Sequence, residues 1–287
     1  MERFNLLVVQ PEDYINYAPF LGPARSIYYA LRRLGYETRF SGNRFLHDET
    51  NIVVGAHHLD TALAEALPAG TIVYNTEQLR AGTEVLPGLR PFVSRFETWD
   101  HSLANIEIWR AMGLAERVRY VQPGYVAEDS TVDLHTPPDI DVLFFGNVNP
   151  RRVVVLDALR RAGIALHVAD GVYLEKRDAL AARAKIVLNV HAADDSSLEM
   201  ARVAYALGNR RALVTELGRE AIIDADLRDG IAAGPVEALP RLCRQLLDDD
   251  ERRLALAARG FDAFTKRDLA QNLKQVLALR PGSSAGL

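Results

Sequence analysis

Short apolar runs that end in polar residues and lead into helical segments recur along the whole chain. Clear examples are NLLVVQ at 5–10, TIVYN at 71–75, DIDVLFF at 139–145 and KIVLN at 185–189. Runs this short, rich in β-branched residues and lacking polar alternation, are typical of strands buried on both faces of a sheet. Because they alternate with helical segments, they predict parallel sheets covered by helices, an α/β fold.

Two Rossmann-like domains in series account for the 287 residues. The first, 1–125, is expected to hold about six strands. AEDSTVDLHTPP has no apolar periodicity and ends in two prolines, so 126–138 is predicted to be a linker. A second domain follows at 139–260, and 261–287 is predicted to be a C-terminal helix with a frayed tail. Helical patterns cover 236–247 and 250–279.

Composition excludes several functional classes. A net charge of −4 argues against a dedicated nucleic-acid binder. The single cysteine, Cys243, lies in a helical pattern where a core position is expected, and one cysteine forms no internal disulfide. The apolar run near the start is too short for a signal peptide, and no later run is long enough for a membrane span. A cytoplasmic protein is therefore expected.

Two common phosphate-binding motifs are missing from the chain. The first strand is followed by PEDYINY where a dinucleotide-binding domain has G-x-G-x-x-G, and no G-x-x-x-x-G-K-[ST] loop occurs. Neither a dinucleotide site nor a P-loop is expected.

The stretch KIVLNVHAADDSSLE, 185–199, contains the strongest local signal for a site. A strand ends near Asn189 and His191, and Glu199 is expected in the first turn of the next helix. Ligands bind at the carboxyl ends of strands in open α/β sheets. The alternative is a plain helix start, with a Glu that complements the helix dipole and caps from Asp194, Asp195, Ser196 and Ser197.

A second candidate is the turn GNVNPRR after the strand 139–145. Gly146 lets backbone approach a ligand closely, and Pro150 suits the first position of a helix. An anionic group could then bind the helix N-terminus beside Arg151 or Arg152. A tight turn with two solvated arginines remains the alternative.

Candidate acid–base residues follow strands of the first half. His57 and His58 end a strand predicted at 51–57, where adjacent side chains point to opposite sides. Glu77 and Asp100 follow two other strands. For each histidine the alternative is an ordinary hydrogen-bonded packing residue.

Several segments, taken in order, carry a resemblance to a known family. DIDVLFFGNVNPRR, GVYLEKRD, AKIVLNVH and LEMARVAYALGNRRALVTE resemble the nucleotide-binding half of GT-B glycosyltransferases, and YNTEQL and WDHSLANIEIW resemble the other half. The match is to the bacterial family with a glycosyl transferase group 1-like C-terminal domain. It implies two Rossmann-like domains facing across a cleft, with C-terminal helices, and a nucleotide-sugar site in that cleft.

The resemblance also implies roles for individual residues. The turn at Gly146 would lie near the diphosphate, Arg151 or Arg152 would offset its charge, and Glu199 would accept hydrogen bonds from two ribose hydroxyls. The other implied donor-binding residues are Asn147, Asn189, His191 and Arg202. Family members often carry a second glutamate eight positions before the ribose-binding one, where this chain has His191.

The predicted function is the transfer of a sugar from a nucleotide-diphosphate donor, without a metal or a separate cofactor. The acceptor, whether glycan, protein, lipid or small molecule, is not predicted. If a base is needed, Glu77 is the first candidate and His57, His58 and Asp100 follow. The alternatives are a degenerate glycosyltransferase that acts as a binding or assembly subunit, and a nucleotide-sugar epimerase or hydrolase.

Overall fold

The computed structural model describes residues 2–11, 18–80, 85–193, 198–218 and 222–280. Their contacts divide the chain into two compact units. The first contains the chain up to Pro123 together with the segment from Asp268 onward, and the second is Gly124–Arg267. The predicted capping residues at 194–197 and the predicted tail at 281–287 lie outside the described residues.

Strands and helices alternate along most of the described ranges. The strands are β1 (Arg3–Val8), β2 (Glu37–Gly42), β3 (Thr50–Val54), β4 (Ile72–Asn75), β5 (Glu97–Asp100), β6 (Val118–Tyr120), β7 (Ile140–Phe145), β8 (Leu166–Ala169), β9 (Ala184–Asn189), β10 (Ala212–Glu216) and β11 (Ala232–Gly234). The helices are α1 (Ala18–Arg33), α2 (Val85–Val93), α3 (Leu103–Ala111), α4 (Pro150–Arg161), α5 (Leu174–Arg183), α6 (Met200–Gly208), α7 (Leu239–Leu247), α8 (Asp250–Phe264) and α9 (Leu269–Ala278).

Each unit is built on one parallel sheet. The sheet of the first unit has six strands in the order β2-β1-β3-β4-β5-β6, as many as the sequence predicted. The second unit has five strands in the order β11-β10-β9-β7-β8. The predicted α/β class, with two parallel sheets and covering helices, is confirmed.

The central part of the second unit's sheet is buried on both faces, which explains the apolar runs in the middle of its strands. Leu143 and Phe145 of β7 enter one core with residues of α5 and α6. Val142 and Phe144 enter another with residues of α4 and α7, where the predicted core residue Cys243 is fully buried. Since successive side chains of a strand point to opposite faces, a strand covered on both sides must be apolar throughout.

The segment predicted to be a linker, 126–138, is hydrogen-bonded to the rest of the second unit. The backbone amides of Thr131 and Val132 both donate to Oδ1 of Asn209, at 2.8 and 3.0 Å. The last helix, α9, belongs to the first unit, although it follows the second along the chain.

The conformation predicted for the histidine pair is wrong. β3 ends at Val54, and Gly55 then adopts a φ of +84°, which turns the chain into the short 3₁₀ helix Ala56–His58. The rings of His57 and His58 therefore do not point to opposite sides, and their centroids are 4.0 Å apart.

Two helix predictions also need correction. The helical pattern over 250–279 is interrupted between α8 and α9, because Asp268 caps a new helix by accepting from the backbone amide of Ala270 at 2.8 Å. Glu199 immediately precedes the first residue of α6 and makes no side-chain cap there. Within the described ranges, no helix combines the length and the apolar character needed to cross a bilayer.

Candidate functional site

The carboxyl edge of the second sheet brings together the residues predicted to bind the donor. Asn189 ends β9 in register with Thr215 of β10 and accepts a hydrogen bond from Arg202. β7 runs directly into Gly146, and α4 begins at Pro150, the predicted first helical position. Gly146, Arg152, Asn189, Glu199 and Arg202 are therefore neighbours, although 56 positions separate the first from the last in the sequence.

Gly146 is required by both conformation and space. Its φ is +117°, in a region of backbone conformation that residues other than glycine rarely adopt. A Cβ atom at this position would lie 2.7 Å from Nη2 of Arg202. The absence of a side chain at 146 thus lets the Arg202 guanidinium lie against the turn.

The start of α4 is ordered by two asparagines. Asn149 caps the helix by accepting from the backbone amide of Arg152 at 2.9 Å, and its Nδ2 donates to the carbonyl of Ala192 at 2.7 Å. Oδ1 of Asn147 accepts from the Tyr173 hydroxyl at 2.8 Å. Free amides at such a helix start form a positive end that favours an anion.

Arg152 is buried and holds neighbouring segments together by hydrogen bonds; it is not a solvated residue. Its guanidinium donates to the carbonyls of Val190 and Asn147 at 3.0 and 2.8 Å, and to Oε1 of Glu199 at 2.6 Å. Burial lowers the pKa of Arg152, while Glu199 acts in the opposite direction. The alternative of two solvated arginines does not hold for Arg152.

Glu199 is enclosed by positive charge. Oε2 accepts from Arg202, and Oε1 accepts from Arg152 and from the Ala192 amide, the latter at 3.1 Å. Burial alone raises the pKa of Glu199, but Arg202 and Arg152 outweigh it and leave the pKa below its ordinary value. A carboxylate has about four lone-pair positions. Described residues occupy three of them, so the described part of the chain leaves one acceptor position on Oε2 for a ligand.

Arg151 forms a separate buried ion pair with Glu216, the last residue of β10. Both ends of the guanidinium contact the carboxylate, with Nη1 3.0 Å from Oε2, and Nη1 also donates to the carbonyl of His191 at 2.9 Å. Glu216 had no predicted role. The available signal was its position, a polar residue at the carboxyl end of a buried strand.

His191 is fully buried, and neither ring nitrogen has a hydrogen-bond partner among the described residues. Burial lowers the pKa of the imidazole, and the nearby carboxylates of Glu216 and Glu199 oppose this without reversing it. The ring is therefore neutral at neutral pH. Nε of Arg202 is likewise buried without a partner in the described part of the chain. The second-unit cluster consists of the six side chains of Arg151, Arg152, His191, Glu199, Arg202 and Glu216.

The candidate bases of the first unit share the carboxyl edge of its own sheet, after β3, β4 and β5. His57 and His58 both pack against the ring of Phe20 at 5.7 Å between centroids. Burial, with a smaller effect from His58, lowers the pKa of His57 to about 4. Burial also lowers the pKa of His58. Both rings are therefore neutral at neutral pH, and the lowered pKa makes each of them a weaker base than a free imidazole.

The peptide of Glu77 is fixed by two neighbouring amides. Its N–H donates to Oδ1 of Asn75 at 3.0 Å, and its carbonyl accepts from Nδ2 of Asn75 and of Asn105 at 3.0 and 2.8 Å. The Glu77 side chain is only half-buried. Glu77 thus remains the most accessible carboxylate among the predicted bases.

Asp100 holds this part of the first unit together. Its carboxylate is fully buried and accepts from Asn75 at 2.8 Å, Asn105 at 2.9 Å, Trp109 at 3.1 Å and the backbone amide of Ser102 at 3.0 Å. Burial raises the pKa of Asp100, whereas His101 and these donors lower it. The geometry does not support the predicted role as a base, because a base needs an oxygen that the substrate can reach.

Comparisons with known proteins identify the fold. No family profile matches the chain. Two curated relatives, the uncharacterized proteins L137 and L140 of Acanthamoeba polyphaga mimivirus, are 23% identical over 167 residues and 22% identical over 152 residues. These matches cover 55% and 53% of this chain but 22% and 49% of the relatives, so the chain spans at most about half of their length.

Similar solved structures cover nearly the whole chain. Anabaena Alr3699/HepE in complex with UDP-glucose is 11% identical with a TM-score of 0.63 over 97% of this chain and 100% of that one. WaaG, a glycosyltransferase involved in lipopolysaccharide biosynthesis, is 12% identical with a TM-score of 0.56 over 98% and 100%. OtsA is 10% identical with a TM-score of 0.59 over 97% and 98%. At such identities the likeness shows the fold, which is that of the GT-B glycosyltransferases.

Proposed function

We propose that this chain is a glycosyltransferase that moves a sugar from a nucleotide-diphosphate donor to an unidentified acceptor. The observation that carries the proposal is the buried Glu199 carboxylate, held by Arg152 and Arg202 beside the Gly146 turn at a sheet's carboxyl edge. A nucleotide sugar offers hydroxyls for such a carboxylate and an anion for the helix start. HepE, which has the same fold, is known in complex with UDP and with UDP-glucose.

The proposed donor contacts use the hydrogen-bonding groups that the described residues leave open at Glu199 and at the N-terminus of α4. One ribose hydroxyl donates to Oε2 of Glu199, where the described residues leave one acceptor position, instead of two hydroxyls sharing the carboxylate. The diphosphate lies at the N-terminus of α4, near the backbone of Gly146 and Asn147. Arg202 supplies the charge beside this turn, since its Nη2 is 2.7 Å from the Cβ position of Gly146. Arg151 and Arg152 mainly hold neighbouring segments in place, because their guanidinium groups already donate to carboxylates and carbonyls.

The leaving diphosphate is stabilised by fixed dipoles and guanidinium groups, so the proposed transfer needs no metal ion. In the described residues no three or more His, Cys, Asp or Glu side chains are grouped as metal ligands, and metal independence remains part of the proposal. Where the reaction needs a base, Glu77 is proposed first, then His57 or His58. Membership of the bacterial family with a glycosyl transferase group 1-like C-terminal domain is also proposed.

Calorimetry with UDP, GDP and dTDP tests the donor site. We expect the wild type to bind at least one of them, and Glu199→Gln to weaken that binding about tenfold or more, as the loss of a charge-assisted hydrogen bond predicts. Glu107→Gln, a change at an exposed glutamate of α3, is the control and should bind normally. No binding of any nucleotide to the wild type would contradict the proposal.

A second candidate function is a binding or assembly subunit that holds a nucleotide without transferring a sugar. Two observations favour it: Asp100 is enclosed by its partners, and a neutral His191 stands where the family often has a glutamate. Incubation with the nucleotide sugar separates the functions. Nucleotide release that depends on an acceptor indicates transfer, release without acceptor or sugar inversion indicates a hydrolase or epimerase, and binding without turnover indicates a subunit.

A further inference from the structure

Glu216 connects three elements at the carboxyl edge of the second sheet. Its carboxylate is only 3% exposed. Oε2 accepts from the backbone amide of His191 at 2.9 Å and from Nη1 of Arg151 at 3.0 Å, while Oε1 accepts from Nη2 of Arg151. The residue thereby joins the end of β10 to the first turn of α4 and to the turn after β9.

One ion pair fixes both main-chain groups of His191. The N–H donates to Glu216, and the carbonyl accepts from Nη1 of Arg151 at 2.9 Å. With both groups engaged, the peptides on either side of His191 cannot rotate without breaking a buried, charge-assisted hydrogen bond. Such bonds are roughly twice as strong as those between neutral groups.

The next residue passes this restraint to the proposed ribose-binding carboxylate. The amide of Ala192 donates to Oε1 of Glu199 at 3.1 Å, and its carbonyl accepts from Nδ2 of Asn149 at 2.7 Å. Together with Arg152 and Arg202, the turn after β9 therefore holds Glu199, and its amide occupies Oε1, so that the acceptor position left by the described residues is on Oε2.

We propose that the Arg151–Glu216 pair is a clamp that positions Glu199 for the nucleoside part of the donor, with Glu216 as its positioning residue. This inference rests on the proposed function. It differs from the role that the resemblance implied for Arg151 or Arg152, which was to offset the charge of the diphosphate. In the clamp, Arg151 acts through the backbone of His191 and Ala192.

Binding of a nucleoside diphosphate and of its nucleoside distinguishes the two roles. The variants are Glu216→Gln, which keeps an acceptor for the His191 amide but loses the charge, and Arg151→Gln. The ligands are whichever of UDP, GDP or dTDP binds the wild type, by calorimetry, and the matching nucleoside, by NMR titration. If the pair is a clamp, each variant weakens both ligands by the same factor, about tenfold. The double variant is then no worse than either single one.

A direct phosphate contact gives a different pattern. Arg151→Gln would then weaken only the diphosphate, and Glu216→Gln would tighten it, because the guanidinium is released toward the anion. Either result overturns the clamp, and so does unchanged affinity for the nucleoside in Glu216→Gln.

Two controls separate positioning from simple loss of stability. Affinities are measured at a temperature where circular dichroism shows each variant to be folded, so a residue that only stabilises the fold leaves them unchanged. Asp139→Asn, which breaks the exposed pair with Arg183, is the matched ion-pair control and should bind normally. If Glu216→Gln does not fold, Glu216→Asp, which keeps the charge but shortens its reach, is measured in the same way.

Failure of the clamp and failure of the proposed function are distinguishable in this experiment. A wild type that binds none of the three nucleotides overturns the proposed function. A wild type that binds, with variants that leave nucleoside affinity unchanged, overturns the clamp alone.

Discussion

Different kinds of interaction stabilise the carboxyl edge of each of the two parallel sheets. In the first unit a single buried carboxylate, Asp100, accepts hydrogen bonds from neutral amide and indole donors. In the second unit the carboxylates of Glu199 and Glu216 are paired with three guanidinium groups. The first edge thus combines the carboxylates of Asp100 and Glu77 with neutral imidazoles, and the second carries more positive than negative side chains in its cluster.

This difference suggests which ligand each edge suits. The side-chain and backbone donors to Asp100 are neutral, so none of them offers a positive charge to a phosphate. A helix start surrounded by guanidinium groups favours an anion. Under the proposed function, we therefore expect the diphosphate at the second unit, and a neutral acceptor hydroxyl near the accessible Glu77 and the imidazoles of the first unit. Substitutions at each edge test this division.

The largest effect is expected from Asp100→Leu, which removes the shared acceptor of Asn75, Asn105 and Trp109. Buried donors left without partners cost about 1 to 3 kcal/mol each, so the free energy of unfolding of the first unit should fall by about 4 kcal/mol. Urea unfolding followed by tryptophan fluorescence measures it, because the only two tryptophans, Trp99 and Trp109, are both fully buried in this unit.

Nucleotide affinity is the other readout for Asp100→Leu. If the donor site belongs to the second unit, affinity of the folded protein should stay within about twofold of the wild type, a change of less than about 0.5 kcal/mol. A large loss of affinity would contradict the division between the two edges. Glu107→Leu, an exposed change on α3, should alter neither stability nor binding.

The next largest effect is expected from Gly146→Ala in the second unit. Alanine is strained at a φ of +117°, and its Cβ would meet the Arg202 guanidinium at 2.7 Å, so we expect a loss of about 2 to 3 kcal/mol and weaker nucleotide binding. Far-ultraviolet circular dichroism should show the loss while the tryptophan transition is unchanged.

Gly171→Ala is the matched control for Gly146→Ala. Gly171 also has a positive φ, +65°, but no atom lies within 4 Å of its Cβ position, so only the backbone strain of about 1 kcal/mol applies. Equal losses at the two positions would show that contact with Arg202 does not contribute to the need for glycine at 146.

The positions of the strands and the edge at which polar residues gather were predictable from sequence, because short apolar runs are enough to indicate buried parallel strands. Pro150 as the first residue of α4 was also correct. The conformation of His57 and His58 was not, although Gly55 was a usable signal: a glycine directly after a strand can take a positive φ and turn the chain.

The partners of the arginines could not be predicted in the same way. Arg151 meets Glu216 across 65 positions and Arg152 meets Glu199 across 47, so both pairs depend on the order of β7, β9 and β10 in the sheet. Local sequence shows an arginine beside a helix start and does not show whether its charge is already paired. The family pattern has its second glutamate at position 191, where this chain has a histidine. The carboxylate that accepts from the His191 amide is that of Glu216, which had no predicted role.

The smallest effect is the pH dependence contributed by His57. Its pKa is about 4 in the folded protein against an ordinary value of 6.5, so the unfolded chain binds more protons between these values. Stability of the first unit should therefore rise with pH across this window and be lost as the pH falls toward about 4. A shift of this size corresponds to about 3 kcal/mol, which partial exposure reduces to about 1 to 2 kcal/mol.

Tryptophan-detected urea midpoints at pH 7 and about 4.5 should thus differ less in His57→Gln than in the wild type. His167→Gln, an exposed change in the second unit, should leave the difference unchanged. A wild-type pH dependence retained in His57→Gln would show that other groups, such as His58, and not this imidazole, cause the acid sensitivity of the first unit.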